Sequence, residues 1–416
     1  MEKRYFPALE PLRGLAALMV ILVHCVVTWT PEFSVGFQNL LLIPISGRAP
    51  VILFFVLSGF VLASSFDGYS FRAVTGYYVR RLFRIFPLAW VGLIIALLVA
   101  ALTRQWVPDL PLSGWLRPAF TASTDQLPGS LLFANNGINP VYWTLHVEIV
   151  GSIVLPLMLL NAPLALILCF GLQFWPTHLV PLWVMTNMLL FSFAAGVLAF
   201  GLVEKVQFRL ERYWGIGGAI LLVFAHAVIG PRSFSGWHLG SIEALRINLG
   251  AMDNLGLLAQ HSLETIGAAV LVAVLACNPI RLLQAAPLRM LGQISYSVYV
   301  AHIPALILVA AAVSLVTADP TLRLALMVVI TVPLSVAVAT MLYLVVEKPG
   351  MGLGRNLQSA VLGLSSFAPR EVRHTVDSAE RRQDLESCAA PEGYSPDEAS
   401  AKTAGQATDT GLSAST

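Results

Sequence analysis

Residues 12–29 read LRGLAALMVILVHCVVTW. At 1.5 Å of helical rise per residue, this run spans about 27 Å, close to the ~30 Å hydrocarbon thickness of a bilayer. Lys3 and Arg4 precede it, so the start resembles a signal sequence. The run is longer than the roughly 7–15 apolar residues of a signal peptide, and no small-x-small cleavage site follows it. It therefore reads as a retained first transmembrane helix.

The rest of the chain has the same character. Of 416 residues, 57% are hydrophobic and 12% charged, with a mean hydropathy of +0.76. A soluble domain carries about 25% charged residues, so an ordinary cytosolic enzyme is excluded. The implied solvent is lipid, and no nucleic-acid partner is expected. Apolar runs of spanning length lie near 12–30, 48–66, 86–103, 143–160, 162–176, 184–203, 214–231, 262–278, 295–316 and 321–346. The fifth is short and separated from the fourth only by Asn161, Ala162 and Pro163, so the pair reads as a tight helical hairpin or one broken element. The predicted fold is an all-α polytopic membrane protein of about ten transmembrane helices.

The net charge of +2 hides a split: residues 1–365 carry 20 Lys+Arg against 14 Asp+Glu, and residues 366–416 carry 5 against 9. With the amino terminus inside, 14 of the body's basic residues fall in inner segments and 6 in outer ones. The positive-inside bias thus places both termini in the cytoplasm. Outer loops near 104–142 and 232–261 are long enough to shape something on the far side. The expected organisation is a transmembrane domain over 1–350 and a mostly disordered, acidic cytoplasmic tail over 351–416, too poor in large apolar residues to offset the entropy of ordering. Cys25, Cys169, Cys277 and Cys388 fit no metal or disulfide pattern.

Ionisable groups within such runs cost about 2.5–3.5 kcal/mol on insertion scales, so each invites a functional reading. Arg13 and His24 stand eleven residues apart, about 20° past three full turns and roughly 16 Å along the axis. They share one helix face. A neutral imidazole can serve as general base for a hydroxyl nucleophile, and apolar surroundings favour the neutral form. The plainer reading is a histidine satisfied by a neighbouring helix and an arginine that sets topology. In the second run, Ser58 and Gly59 sit among phenylalanines, where small residues let helices approach closely.

Arg80, Arg81 and Arg84 then precede Pro87, in what reads as an inner loop leading into the third helix. Arg81 and Arg84 share a helical face, and guanidinium forks suit phosphate; a topogenic cluster is the alternative. In Tyr142-Trp143-Thr144-Leu145-His146-Val147-Glu148, the carboxylate lies inside an apolar run with Thr144 four residues before it, and His24 is one candidate partner. Ser295, Tyr299 and His302 form a polar stripe that either lines a cavity or bonds to neighbouring helices. His226 has no polar companions and reads as structural. No GxSxG, P-loop, HExxH or GxGxxG in proper context occurs.

Taken in order, Arg13 with His24, Phe54-Phe55-Val56-Leu57-Ser58-Gly59-Phe60, Arg81-x-x-Arg84-x-x-Pro87, Trp143-Thr144-Leu145-x-x-Glu148, Gly292-x-Ile-Ser-Tyr-Ser-x-Tyr299-x-x-His302 and Glu347-Lys348-Pro349 resemble the membrane acyltransferase-3 family over roughly residues 5–350. The resemblance implies a bacterial inner-membrane enzyme that moves an acyl group, usually acetyl, from cytoplasmic acyl-CoA to a hydroxyl of a glycan or glycosylated metabolite. No cofactor or metal is expected beyond acyl-CoA as co-substrate. The family pattern carries over at Arg13, His24, Ser58, Arg81, Arg84, Glu148, Tyr299 and His302. Joined with the residue reading, it makes His24 the expected catalytic base with Glu148 as its carboxylate, and Arg13, Ser58, Arg80, Arg81, Arg84, Thr144, Ser295, Tyr299 and His302 the expected donor- or substrate-binding residues. Thr144 stands where many relatives carry serine. The competing class is a transporter without chemistry, in which the same polar residues line a path; the matched, broken halves typical of transporters are not visible.

Overall fold

The computed structural model describes residues 6–29, 47–174, 181–205, 212–229 and 252–361. These are almost wholly helical, with one isolated bridge between Trp29 and Leu112. The principal helices are α1 (Leu9–Val26), α2 (Ala49–Ser64), α3 (Phe71–Trp106), α4 (Trp143–Leu160), α5 (Ala162–Leu172), α6 (Pro181–Lys205), α7 (Arg212–Ile229), α8 (Met252–Cys277), α9 (Ala286–Gln293), α10 (Ser295–Val316), α11 (Pro320–Leu342) and α12 (Lys348–Val361).

Each of the ten apolar runs falls on a helix. Seven helices among the described residues are long and apolar enough to cross a membrane; Ala49–Ser64, Ala162–Leu172 and Tyr213–Leu222 are shorter. The tail expected over 351–416 is helical as far as Val361, because the last long helix carries on past Glu347; its remainder, most of the 232–261 loop and the side chain of His226 lie outside what is described.

Two boundaries differ from the sequence expectation. The Arg80–Arg84 segment is not a loop, because α3 begins at Phe71, is capped by Ser70, whose Oγ accepts from Ala73 N at 3.2 Å, and runs unbroken through Pro87. Charged side chains end a hydropathy run without ending a helix. At its far end the last long helix continues from α11 through a π turn, Tyr343–Glu347, into α12. Asn161 breaks α4 from α5 and caps the latter, accepting from Leu164 N at 3.1 Å.

Prolines inside helices free a carbonyl four residues earlier, and in lipid that carbonyl needs another donor. Pro156 frees Ser152 O, which accepts from the Tyr77 hydroxyl at 3.1 Å. Pro304 frees Val300 O, to which buried Asn139 donates through Nδ2 at 3.5 Å.

Helices α1, α3, α10 and α11 share one hydrophobic core with the 107–142 segment, while α2, α4, α6 and α8 share a second; α1 contributes to both. The second core depends on close backbone approach. A Cβ on Gly59 would fall 2.0 Å from Phe193 O, and one on Gly196 would fall 2.0 Å from Val56 O. Gly59 therefore does the packing that a small residue among phenylalanines suggested.

Gly196→Ala is expected to lower the thermal midpoint of the detergent-solubilised protein, by about 1–3 kcal/mol of overpacking. Gly201→Ala on the same helix, where a Cβ meets nothing within 4 Å, should leave it unchanged or raise it by up to about 1 kcal/mol of helix propensity. Thermal unfolding of the two variants side by side checks the contrast in sign.

Candidate active site

A cavity of about 90 Å³ opens where α1, α2, α3, α4 and α10 meet. Its walls include Arg13 from α1, Ser58 from α2, Arg81 and Arg84 from α3, Thr144 and Glu148 from α4, and Ser295 and Tyr299 from α10. Eight of the eleven residues expected in the site therefore face one space. They come from five helices, which explains why no single motif was decisive.

The three guanidiniums are held differently. Arg81 forms an ion pair with Glu148 and donates through Nε to Ser152 Oγ at 3.1 Å. Ser152, one turn after Glu148 on α4, donates in turn to Glu148 O at 2.7 Å. Arg84, one turn beyond Arg81, has Nη2 3.8 Å from Glu347 and donates through Nη1 to Met351 Sδ at 2.9 Å. Neither contact is a strong charge-assisted hydrogen bond, since the first is too long and the second goes to a weak acceptor. Arg13 has its Nε buried with no hydrogen-bond partner. Arg84 and Arg13 thus retain donors for an anion, whereas Arg81 is fixed by its bonds to Glu148 and Ser152.

Two expectations are corrected here. Glu148 is bonded to Arg81, not to His24, because the Arg81 side chain reaches it across the α3–α4 contact. Arg80 lies off the cavity and pairs with Asp67 at 3.1 Å, since one residue of helix rotates its side chain about 100° from that of Arg81.

The third correction concerns His302, which is not among the cavity-lining residues. Its Nε2 lies 3.0 Å from His24 Nδ1, the two ring planes within 10° of parallel and the centroids 5.2 Å apart. His302 Nδ1 lies 2.7 Å from Tyr299 O. His24 is likewise outside the cavity lining, with Tyr299 standing at the boundary: its ring faces Phe54 at 6.3 Å and His302 at 5.5 Å. The Tyr299 hydroxyl donates to Val141 O at 2.8 Å and sits 2.6 Å from Thr144 Oγ1.

The end of α1 explains what covers His24. The last carbonyls of a helix lack intrahelical donors, and the 113–115 segment supplies them. Ser113 Oγ and Trp115 Nε1 donate to Val27 O at 2.7 and 2.9 Å, and Ser113 N donates to Thr28 O at 2.9 Å. Trp115 is thereby set against His24 with ring centroids 4.6 Å apart.

Sequence reasoning missed Ser152, Trp115 and Ser297, which donates to buried Glu347 at 2.6 Å. Ser152 was legible as the i+4 neighbour of Glu148; nothing near Trp115 signals its contact with a residue 91 positions earlier. Among the described residues no cluster of three or more His, Cys, Asp or Glu could hold a metal.

A model of the acyltransferase-3 family, described as an acyltransferase domain, matches residues 6–340. The chain belongs to the acyltransferase-3 family. It is also similar to acyltransferase MdmB of Streptomyces mycarofaciens, 33% identical over 153 residues, or 36% of this chain and 38% of that protein. The alignment thus spans well under half the length of that curated relative. No solved structure matches the chain. The family match covers the helices that build the cavity and the His24–His302 pair, and it ends before the Glu347 turn.

Breaking a buried ion pair leaves an uncompensated charge, whereas removing both partners does not. Arg81→Met or Glu148→Leu alone is expected to cost about 1–3 kcal/mol, discounted because both side chains are partly accessible. The Arg81→Met/Glu148→Leu double variant should cost less than the sum. A double-mutant cycle on thermal stability measures the coupling, and strict additivity would refute it.

Proposed function

We propose that this acyltransferase-3 protein is a membrane O-acyltransferase. It moves a short acyl group, acetyl being the first candidate, from acyl-CoA to a hydroxyl of a glycan or glycosylated acceptor at the bacterial inner membrane. The observation that carries the reading is on α1, which presents Arg13 to the cavity and, eleven residues on, the His24 imidazole held by His302. The word acyltransferase in the relative's name supports the same class of chemistry.

CoA is rich in phosphate. Arg84 and Arg13 supply free donors to it, with Arg81 adding charge while tied to Glu148. A cavity of about 90 Å³ has room for several water-sized groups at roughly 10–15 Å³ each. That suits a thioester with a short acyl chain and leaves the nucleotide at the mouth. The positive-inside bias puts the mouth, at the Arg81–Arg84 end of α3, on the cytoplasmic side.

The thioester reaches His24 past the Tyr299 ring. The acceptor hydroxyl gives its proton to His24 Nε2 as its oxygen attacks the thioester carbonyl. The tetrahedral intermediate then collapses, the C–S bond breaks, and the leaving thiolate takes the proton from His24. Glu148 acts through Arg81, by fixing the guanidinium in the cavity wall, and is a positioning residue in this scheme.

The test uses the full chain in lipid nanodiscs with radiolabelled acetyl-CoA and a panel of glycans. His24→Ala is expected to lower kcat by about 10²–10⁴-fold, the usual worth of a general base, with donor binding retained. Arg84→Ala is expected to raise the donor KM about tenfold or more, the loss of one charge-assisted hydrogen bond. Label transfer unaffected by His24→Ala would remove the base role. Vesicles that carried a glycan across the membrane with no acyl-CoA turnover would establish a transporter instead.

A further inference from the structure

We infer that His302 is a positioning residue that fixes the tautomer of His24, so that the lone pair of His24 Nε2 is the one available for proton abstraction. The inference rests on the His24 base role proposed above.

A chain of two hydrogen bonds carries it. Tyr299 O is a carbonyl and can only accept, so the His302 Nδ1 that lies 2.7 Å away must carry a proton. A neutral His302 then has its lone pair on Nε2. That atom lies 3.0 Å from His24 Nδ1, so His24 Nδ1 must be the donor of the second bond. A neutral His24 is left with its lone pair on Nε2.

Both rings are neutral in this arrangement, and the surroundings provide for it. His302 is 1% exposed, and no carboxylate among the described residues bonds to either ring, the acidic groups near the cavity being committed to Arg81, Arg84 and Ser297. His24 Nε2 has no hydrogen-bond partner among the described residues, and His24 is only partly buried. The assembly is braced on both sides. Tyr299 O belongs to the residue whose hydroxyl is tied to Val141 and Thr144, and Trp115 packs on the His24 ring.

This reassigns His302 from substrate contact to orienter. The arrangement parallels the third member of a catalytic triad, which holds the base in its working tautomer, but uses an imidazole in place of a carboxylate. A neutral orienter suits an apolar bundle, where an extra buried charge would need its own partner.

The experiment compares full-length wild type, His302→Leu and His302→Gln in nanodiscs by three readouts: acetyl-CoA turnover, affinity for the unreactive thioether ethyl-CoA, and ¹⁵N NMR of labelled histidine, with His24→Asn to assign the His24 signals. His302→Leu is expected to lower kcat about 100-fold, with ethyl-CoA affinity within about twofold of wild type. His302→Gln, which can accept from His24 and donate to Tyr299 O, should recover at least about tenfold over His302→Leu. In wild type and His302→Gln the His24 proton should be on Nδ1, and in His302→Leu that preference should be lost.

A His302→Leu variant with wild-type kcat would overturn the inference. So would one that lost ethyl-CoA binding together with turnover, or a wild-type His24 protonated on Nε2. If wild type turned over no acetyl-CoA, the proposed function would fail, and the NMR arm would still decide the tautomer separately.

Discussion

The ion pair between Arg81 and Glu148 sets the character of the whole site. In a helix bundle of low dielectric a lone carboxylate is costly, and Glu148 lies within an otherwise apolar helix. Once Arg81 closes on it, with Ser152 bonding both partners, the remaining guanidiniums acquire distinct roles. Arg84 and Arg13 keep unspent donors facing the cavity. The pair also ties α3 to α4. Of the three guanidiniums, Arg81 is closely paired with Glu148, Arg84 is held only at 3.8 Å from Glu347, and Arg13 Nε has no hydrogen-bond partner.

The first helix connects that cavity to the imidazoles. It packs in both cores, carries Arg13 at the cavity and delivers His24 to His302 about 16 Å further along its axis. Its terminal carbonyls are then closed by Ser113 and Trp115, so the same backbone requirement that ends the helix also places an indole against His24. Tyr299 divides the two regions, with its hydroxyl facing Thr144 and its carbonyl holding His302. The guanidiniums proposed to hold the donor and the imidazole proposed to move the proton are thereby separated along one helix and joined at one tyrosine.

Hydropathy made the helices legible, because each apolar run of near-spanning length must bury its backbone polar groups internally, and all ten runs fall on helices. The shared face of Arg13 and His24 was legible for the same reason, as periodicity within one helix. Pairing was not. Arg81 and Glu148 are 67 residues apart, and His24 and His302 are 278 apart. A carboxylate in an apolar run announces that it needs a partner without saying which, so His24 stood as a candidate where the partner is Arg81. The α3 boundary was missed because the Arg80–Arg84 turn is helical yet charged, and the π turn ending at Glu347 because no residue type marks it. Where the stripe of Ser295, Tyr299 and His302 left two readings open, the structure divides it: Ser295 and Tyr299 face the cavity, and His302 bonds to a neighbouring helix.

The most direct measurement is an electron cryomicroscopy structure of the full chain in nanodiscs with ethyl-CoA, a thioether that cannot transfer its chain. The account predicts phosphate oxygens within hydrogen-bond distance of the Arg84 guanidinium. It also predicts the pantetheine arm threaded past Tyr299, with the ethyl group close enough to His24 Nε2 for an intervening hydroxyl to meet both at about 3 Å. A ligand bound away from the Arg13–Arg84 cavity, or with its sulfur pointing away from His24, would contradict it.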